Sequence, residues 1–206
     1  DDMNDWISVL DEESPIRTPN LERLARRGML FTRAYCISAA CNPSRVATLT
    51  GLRPSTSGVY GNKSDWRAAL PERRTLMQQF QEDGYVVRGA GKIFHHHLGG
   101  AFHDRNSFDD FQPMAPQNMP SKKLNRAPEY GSRNTDWGAW PDEESDTIDF
   151  KTTDYCIQAL ANPPKGGRPQ FLACGIFKPH SPFFAPPVYH KAFSDISLPV
   201  RRDDDW

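Results

Sequence analysis

Cys41-Asn42-Pro43-Ser44-Arg45-Val46-Ala47-Thr48-Leu49-Thr50-Gly51 is the stretch that decides how this 206-residue chain is read. Pro43 suits the first turn of a helix, where its missing N–H costs nothing and its fixed φ sets the chain direction. Val46 and Leu49 share one face of a helix over 43–50, and Gly51 supplies the stop. Cys41 is then expected just ahead of a helix N-terminus, where backbone N–H groups favour an anion. Two readings fit these residues taken alone: a buried cysteine before a proline-started helix, or a reactive one held at an anion-binding terminus.

Working outward, Thr18-Pro19-Asn20 opens a helix with Leu21, Leu24 and Ala25 as its apolar face and Gly28 at its end. Residues 29–35 read as a short strand. A third helix over 75–83 turns Leu76, Met77 and Phe80 inward and stops at Gly84. Tyr85-Val86-Val87 follows as a buried strand leading to Gly89-Ala90-Gly91-Lys92. The last long helix covers 148–161, ended by Asn162-Pro163-Pro164, and 170–177 is another continuous apolar strand.

Helices alternating with apolar strands imply an α/β sheet covered on both faces. Ligands bind such sheets beyond the carboxyl ends of the strands. Lys92 with His95 and Lys178 with His180 are expected at such ends, as is Asp1-Asp2 if a strand precedes it. Residues 98–146 show little periodicity and many Pro, Asn, Gly and Asp, which marks an irregular insertion elaborating the site. Within it, Tyr130, Trp137 and Trp140 either stack on a sugar ring or pin the loop to the body.

Composition narrows the function classes. A net charge of −1 gives no electrostatic footprint for nucleic acid or anionic membrane. No apolar run approaches the ~20 residues of a membrane span. Eighteen prolines with 11% aromatic residues describe a globular body carrying long irregular segments. The four cysteines do not form a disulfide framework. Cys156, on a face with Thr153, Ile157 and Leu160, and Cys174, in an apolar run, are expected to be buried small hydrophobes; Cys36 is ambiguous. Asn62-Lys63-Ser64 fits a glycosylation acceptor.

The 41–51 stretch resembles the signature C-x-P-S-R-x-x-x-L-T-G of type I, formylglycine-dependent sulfatases of the alkaline-phosphatase superfamily. The fixed positions of C-x-P-S-R alone arise by chance in on the order of one such chain in a thousand. Gly91-Lys92-Ile93-Phe94-His95 and Lys178-Pro179-His180 resemble segments of the iduronate-2-sulfatase branch. The resemblance implies an alkaline-phosphatase-like sandwich with a mostly parallel central sheet and helices on both faces. It further implies that residues 1–206 are the N-terminal portion of a sulfatase catalytic domain, truncated at both ends. The preceding apolar strand and the later metal ligands and lysine of the family would lie outside it.

By the same resemblance Cys41 is oxidised by a formylglycine-generating enzyme to an aldehyde that hydrates to a diol. One diol oxygen attacks sulfur and releases the alcohol; the second then expels sulfate. Arg45 holds the modified side chain. Lys92 contacts sulfate and formylglycine, His95 assists proton removal from the diol, His180 protonates the leaving alcohol, and Lys178 is a second sulfate contact. Asp1, Asp2 and the modified Cys41 hold a divalent cation, usually Ca2+, a hard ion that takes oxygen ligands. A helix terminus contributes about 0.3–1 kcal/mol to anion binding, against roughly 4 kcal/mol for a charge pair at 4 Å and an effective dielectric of 20. Cations therefore carry the sulfate, and the helix positions the nucleophile.

The histidine triplet 95–97 raises a transition-metal alternative, but consecutive side chains diverge and no nearby carboxylate or cysteine completes a tetrahedral set. His96, His97, His103 and His190 take no role. The substrate implied is a sulfated, glycosaminoglycan-like carbohydrate, in a periplasmic, secreted or lysosomal setting, with the remaining C-terminal part of the enzyme as a partner. Without that part the 206 residues are expected to be inactive. The competing readings are a phosphonate monoester or phosphodiester hydrolase using the same modified cysteine, and a non-catalytic binding protein that keeps the fold.

Overall fold

The computed structural model describes residues 2–95, 102–125 and 134–196. In chain order its helices are α1 (Pro19–Ala25), α2 (Cys41–Thr50), α3 (Pro54–Ser57), α4 (Trp66–Ala69), α5 (Leu76–Glu82), α6 (Ile148–Ala161) and α7 (Pro187–Ala192). Its strands are β1 (Val86–Gly91), β2 (Asp110–Gln112), β3 (Trp137–Ala139), β4 (Gln170–Gly175) and β5 (Phe183–Ala185). The chain divides into two units.

The first unit holds Asp2 and residues 34–119 and 143–180. Its centre is a parallel sheet in the order β2-β1-β4, with Val86 to Gly91 of β1 paired residue for residue with Gln170 to Gly175 of β4. Alternation along a strand sends successive side chains to opposite faces. One face carries Val87, Phe171 and Ala173, which pack with Val46 of α2 and Met77 and Phe80 of α5. The other turns to α6: the Arg88 guanidinium donates to the Asn162 carbonyl at 2.9 Å. The expectation of an α/β parallel sheet with helices on both faces is met.

Local chemistry explains the element ends. Thr75 caps α5 in a reciprocal capping box with Gln78. Thr147 accepts the Phe150 N–H and starts α6. Gly51 ends α2 in the left-handed region at φ 71°. Trp66 and Phe94 stack with ring centroids 5.0 Å apart, and the Arg67 guanidinium lies 4.1 Å above the indole. Arg67 also pairs with Asp104, which accepts from Ser107, tying the 102–108 segment to α4.

The second unit comprises 3–33, 120–142 and the residues from 181 onward. In it β3 and β5 form a parallel pair. Buried Asp136 accepts the backbone N–H groups of Leu124, Asn125 and Trp137, which ties residues 124–125 to the start of β3. Ser8 donates to Glu22 and accepts from the Thr18 backbone, joining the first loop to α1.

Several expectations are corrected. Residues 29–35 form no strand; Met29, Phe31 and Tyr35 are exposed, and no described strand supplies the ladder bonds such a run requires. No residue of α1 is buried, so the face of Leu21, Leu24 and Ala25 does not enter a core in the described chain. Leu76 is likewise exposed at the start of α5. Cys156 is buried, but with Ile148, Thr152 and Ala159, while Ile157 and Leu160 point outward. Cys174 is exposed; among the described residues β4 is an edge strand with no further strand to flank it. The irregular 98–146 region contains β2 and β3, each three residues long and too short to show a two-residue period.

Two glycines, Gly91 and Gly175, let β1 and β4 run this close at their ends. A Cβ on Gly175 would lie 2.5–2.6 Å from the Lys92 backbone, whereas one on Gly61 would meet nothing within 4 Å. Gly175→Ala is therefore expected to destabilise the protein by about 1–3 kcal/mol through overpacking. Gly61→Ala should leave the unfolding free energy within about 0.5 kcal/mol of wild type, so urea unfolding of the two variants side by side checks the claim.

Candidate active site

Cys41 is the first residue of α2, not the residue ahead of it, so the helix begins two positions earlier than the 43–50 expectation. Ala40 at the cap has no side chain to offer. The deficit is met from a distance: Asn62 Oδ1 accepts the Asn42 N–H at 3.0 Å, and Asn42 Nδ2 donates to the Gly61 and Ser64 carbonyls at 3.0 and 2.9 Å. Asn42 is buried. This reciprocal clamp fixes the cysteine-bearing turn, and nothing in the sequence announces it, because Asn42 fills the variable position of the motif.

One turn on, Arg45 Nη1 donates to the Lys92 carbonyl at 2.6 Å and the Ile93 carbonyl at 2.9 Å. Burial pushes its pKa down, opposed by Cys41 and the Asp2 carboxylate. β1 ends at Gly91, whose φ of 77° turns the chain, and the Lys92 N–H donates to the Gly175 carbonyl at 2.9 Å. Lys92 is only 2% exposed, and its Nζ lies 3.8 Å from Cys41 Sγ and 5.0 Å from the centre of the Phe177 ring. Burial lowers the lysine pKa; Cys41 raises it, Arg45 lowers it and Asp2 raises it. Arg45 and Lys92 are thus two partly desolvated cations facing one side chain.

From the end of β4 comes the opposite wall. The carboxylate of Asp149, in the first turn of α6, accepts the Phe177 N–H at 2.7 Å and the Lys178 N–H at 2.8 Å. The His180 N–H donates to the Phe177 carbonyl at 3.2 Å, and Lys178 Nζ donates to the His180 carbonyl at 3.2 Å. Burial brings the Lys178 pKa down to about 8, with Asp149 opposing. His180 Nε2 lies 4.0 Å from Asp2 Oδ2. Donor atoms of Asp2, Cys41 and His180 all fall within 4.8 Å of one another.

The structure therefore brings together Asp2, Cys41, Arg45, Lys92 and His180, with Lys178 joined through the His180 carbonyl. His95 follows on the Lys92 segment, where its ring meets Phe102 edge-on at 6.3 Å; it is not part of the convergent donor cluster. Asp1, His96 and His97 lie outside the described residues. His180, expected as a proton donor and substrate contact, also joins the donor cluster, and Asp149 was not singled out by sequence at all. Its only sequence signal was an acidic residue in a helix's first turn, which is ordinarily a dipole effect.

The Sulfatase family model matches residues 1–204. This chain belongs to the sulfatase family. A sulfatase of Formosa agariphila is 34% identical over 221 residues, covering 100% of this chain and 43% of its own length. Human iduronate 2-sulfatase is 32% identical over 227 residues, covering 100% of the chain and 40% of itself. The chain thus spans about two fifths of the length of these relatives. In fold it resembles the solved phosphonate monoester hydrolase of Agrobacterium radiobacter, at 22% identity and a TM-score of 0.61 over 92% of this chain and 42% of that one.

In this sulfatase chain the two Arg45 bonds need the guanidinium fork, which an ammonium lacks. Arg45→Lys keeps the charge and is expected to cost about 1.5–3 kcal/mol, the value of hydrogen bonds to a charged group. A denaturant midpoint unchanged by Arg45→Lys would remove the two carbonyl contacts from the account.

Proposed function

We propose that this chain carries the nucleophile of a sulfuric ester hydrolase that acts on a sulfated carbohydrate. The observation that carries the reading is Lys92 Nζ at 3.8 Å from Cys41 Sγ, with Arg45 behind it and Asp2 and His180 converging from the other side. Two cations and a cysteine at a helix start form a cradle for a tetrahedral anion next to a nucleophile. The carbohydrate assignment follows the whole-chain similarity to a relative named iduronate 2-sulfatase.

Cys41 is the position at which formylglycine is made, and its hydrate would supply the attacking oxygen. An oxygen there in place of sulfur gives, beside the Asp2 carboxylate, a second donor of the kind Ca2+ prefers. The donor set accordingly fits a divalent cation held by Asp2 and the residue at 41, with Asp1 as a further ligand. Bound there, the cation would neutralise charge on a sulfate oxygen. Lys92 binds the sulfate and stabilises negative charge as it develops. Arg45 orients the side chain at 41 through its own anchorage on the Lys92 and Ile93 carbonyls. Lys178 adds a second positive charge, and His95 is assigned to proton removal at position 41.

His180 is assigned to the leaving oxygen. An imidazole that holds its proton at Nε2 there protonates the departing alcohol. Its nitrogen is a softer donor than Ca2+ selects, so proton transfer is favoured over ligation.

The test uses the full-length protein, produced with a formylglycine-generating enzyme. Turnover of an aryl sulfate at a kcat/KM well above that of the matching phosphodiester supports the reading; the reverse order favours a phosphodiester or phosphonate hydrolase. Lys92→Ala is expected to lower kcat/KM by about 10²–10³, the cost of losing one transition-state donor, with a smaller effect on stability. His180→Ala should depress sulfate esters of poor leaving groups far more than activated aryl sulfates, which need little protonation. Chelation should abolish turnover and added Ca2+ restore it; full activity after exhaustive chelation would remove the metal.

A further inference from the structure

We infer that Asp149 is a positioning residue for the reaction: it sets the His180 imidazole by gripping the backbone of the turn that carries it. The inference rests on the role proposed for His180.

An acidic residue at this point of a helix usually serves its own helix. Here the Thr147 hydroxyl accepts the Phe150 N–H, and both Asp149 oxygens turn away to consecutive amides of another segment, Phe177 and Lys178. Bonds from N–H groups to a carboxylate are shorter and roughly twice as strong as neutral ones, and distances of 2.7 and 2.8 Å agree with that. The grip falls two residues after Gly175, where β4 and its ladder with β1 have ended.

Three contacts of His180 run through the two gripped residues. Its N–H donates to the Phe177 carbonyl, its carbonyl accepts from Lys178 Nζ, and its ring packs against the Phe177 ring with centroids 4.7 Å apart. The Phe177 ring also lies beneath Lys92 Nζ. At the other end, α6 is seated on the sheet through Ile148, Thr152, Cys156 and Ala159. Asp149 thereby passes the fixed frame of α6 and β1 to the turn beyond the strand. A displacement of about 1 Å in a catalytic group can cost on the order of a hundredfold in rate, so this grip bears on turnover as well as on folding.

The experiment measures kcat/KM in the full-length, formylglycine-containing protein for a series of sulfate esters of graded leaving-group pKa. The variants are Asp149→Ala, His180→Ala, the double variant, and Thr147→Ala as a control that weakens the start of α6 without touching the turn. Asp149→Ala is expected to lose about 10- to 100-fold on poor leaving groups and much less on activated ones. Thr147→Ala should show no leaving-group dependence beyond wild type. In the His180→Ala background, Asp149→Ala should add less than about threefold, because the residue it positions is gone. Losses that multiply in the double variant, or that fall equally on all leaving groups in Asp149→Ala alone, overturn the inference. Failure of the His180 reading shows separately, as equal losses across leaving groups in the single variant His180→Ala. Should Asp149→Ala not fold, Asp149→Asn, which keeps one acceptor and loses the charge, carries the same cycle: a leaving-group-dependent loss that vanishes without His180 supports the inference, and multiplying or uniform losses overturn it.

Discussion

The bond pair from Arg45 to the Lys92 and Ile93 carbonyls is the contact on which the site depends. It joins the helix that bears Cys41 to the end of the central strand that bears Lys92. Without it the two would be set by apolar packing of Val46 against Val87, which is strong but not directional. With it, the cysteine sulfur and the lysine nitrogen sit 3.8 Å apart as a consequence of backbone geometry. Gly175 completes the arrangement by letting the Lys92 backbone approach closer than any side chain would permit.

The cost of that arrangement is desolvation. Arg45 and Lys92 are both pulled below their ordinary pKa by burial, and each also feels the other or its neighbours. Two partly buried cations near one another are tolerated where negative charge is close. The Asp2 carboxylate supplies some of it.

Sequence conveyed the parts of this that are local or patterned. The 41–51 motif and the end of α2 at Gly51 were legible because a glycine stop is written in a single residue. The two long strands were legible from their apolar runs, although the first was read only over 85–87 because Arg88 interrupts the run that continues to Gly91. What escaped was tertiary. The Asn42–Asn62 clamp spans twenty residues and uses an asparagine that looks like a loop filler. The Asp149 grip spans twenty-eight residues and looks like a dipole effect. The 29–35 strand failed for a related reason: β pattern describes a residue's willingness to pair, and a strand forms only where a partner is present. The exposure of Cys174 likewise goes with its place on what is, among the described residues, an edge strand, which periodicity cannot report.

The central claim is that the side chain at position 41 is remade into the nucleophile, and the mass of that one residue tests it most directly. In full-length protein produced with a formylglycine-generating enzyme, the tryptic peptide 34–45, which holds both Cys36 and Cys41, should show the mass of formylglycine at position 41 in its fragment ions and react with a hydrazine-type aldehyde reagent, while Cys36, Cys156 and Cys174 keep their thiols. Quantitative recovery of Cys41 as a free thiol in protein that nevertheless turns over sulfate esters would contradict the account.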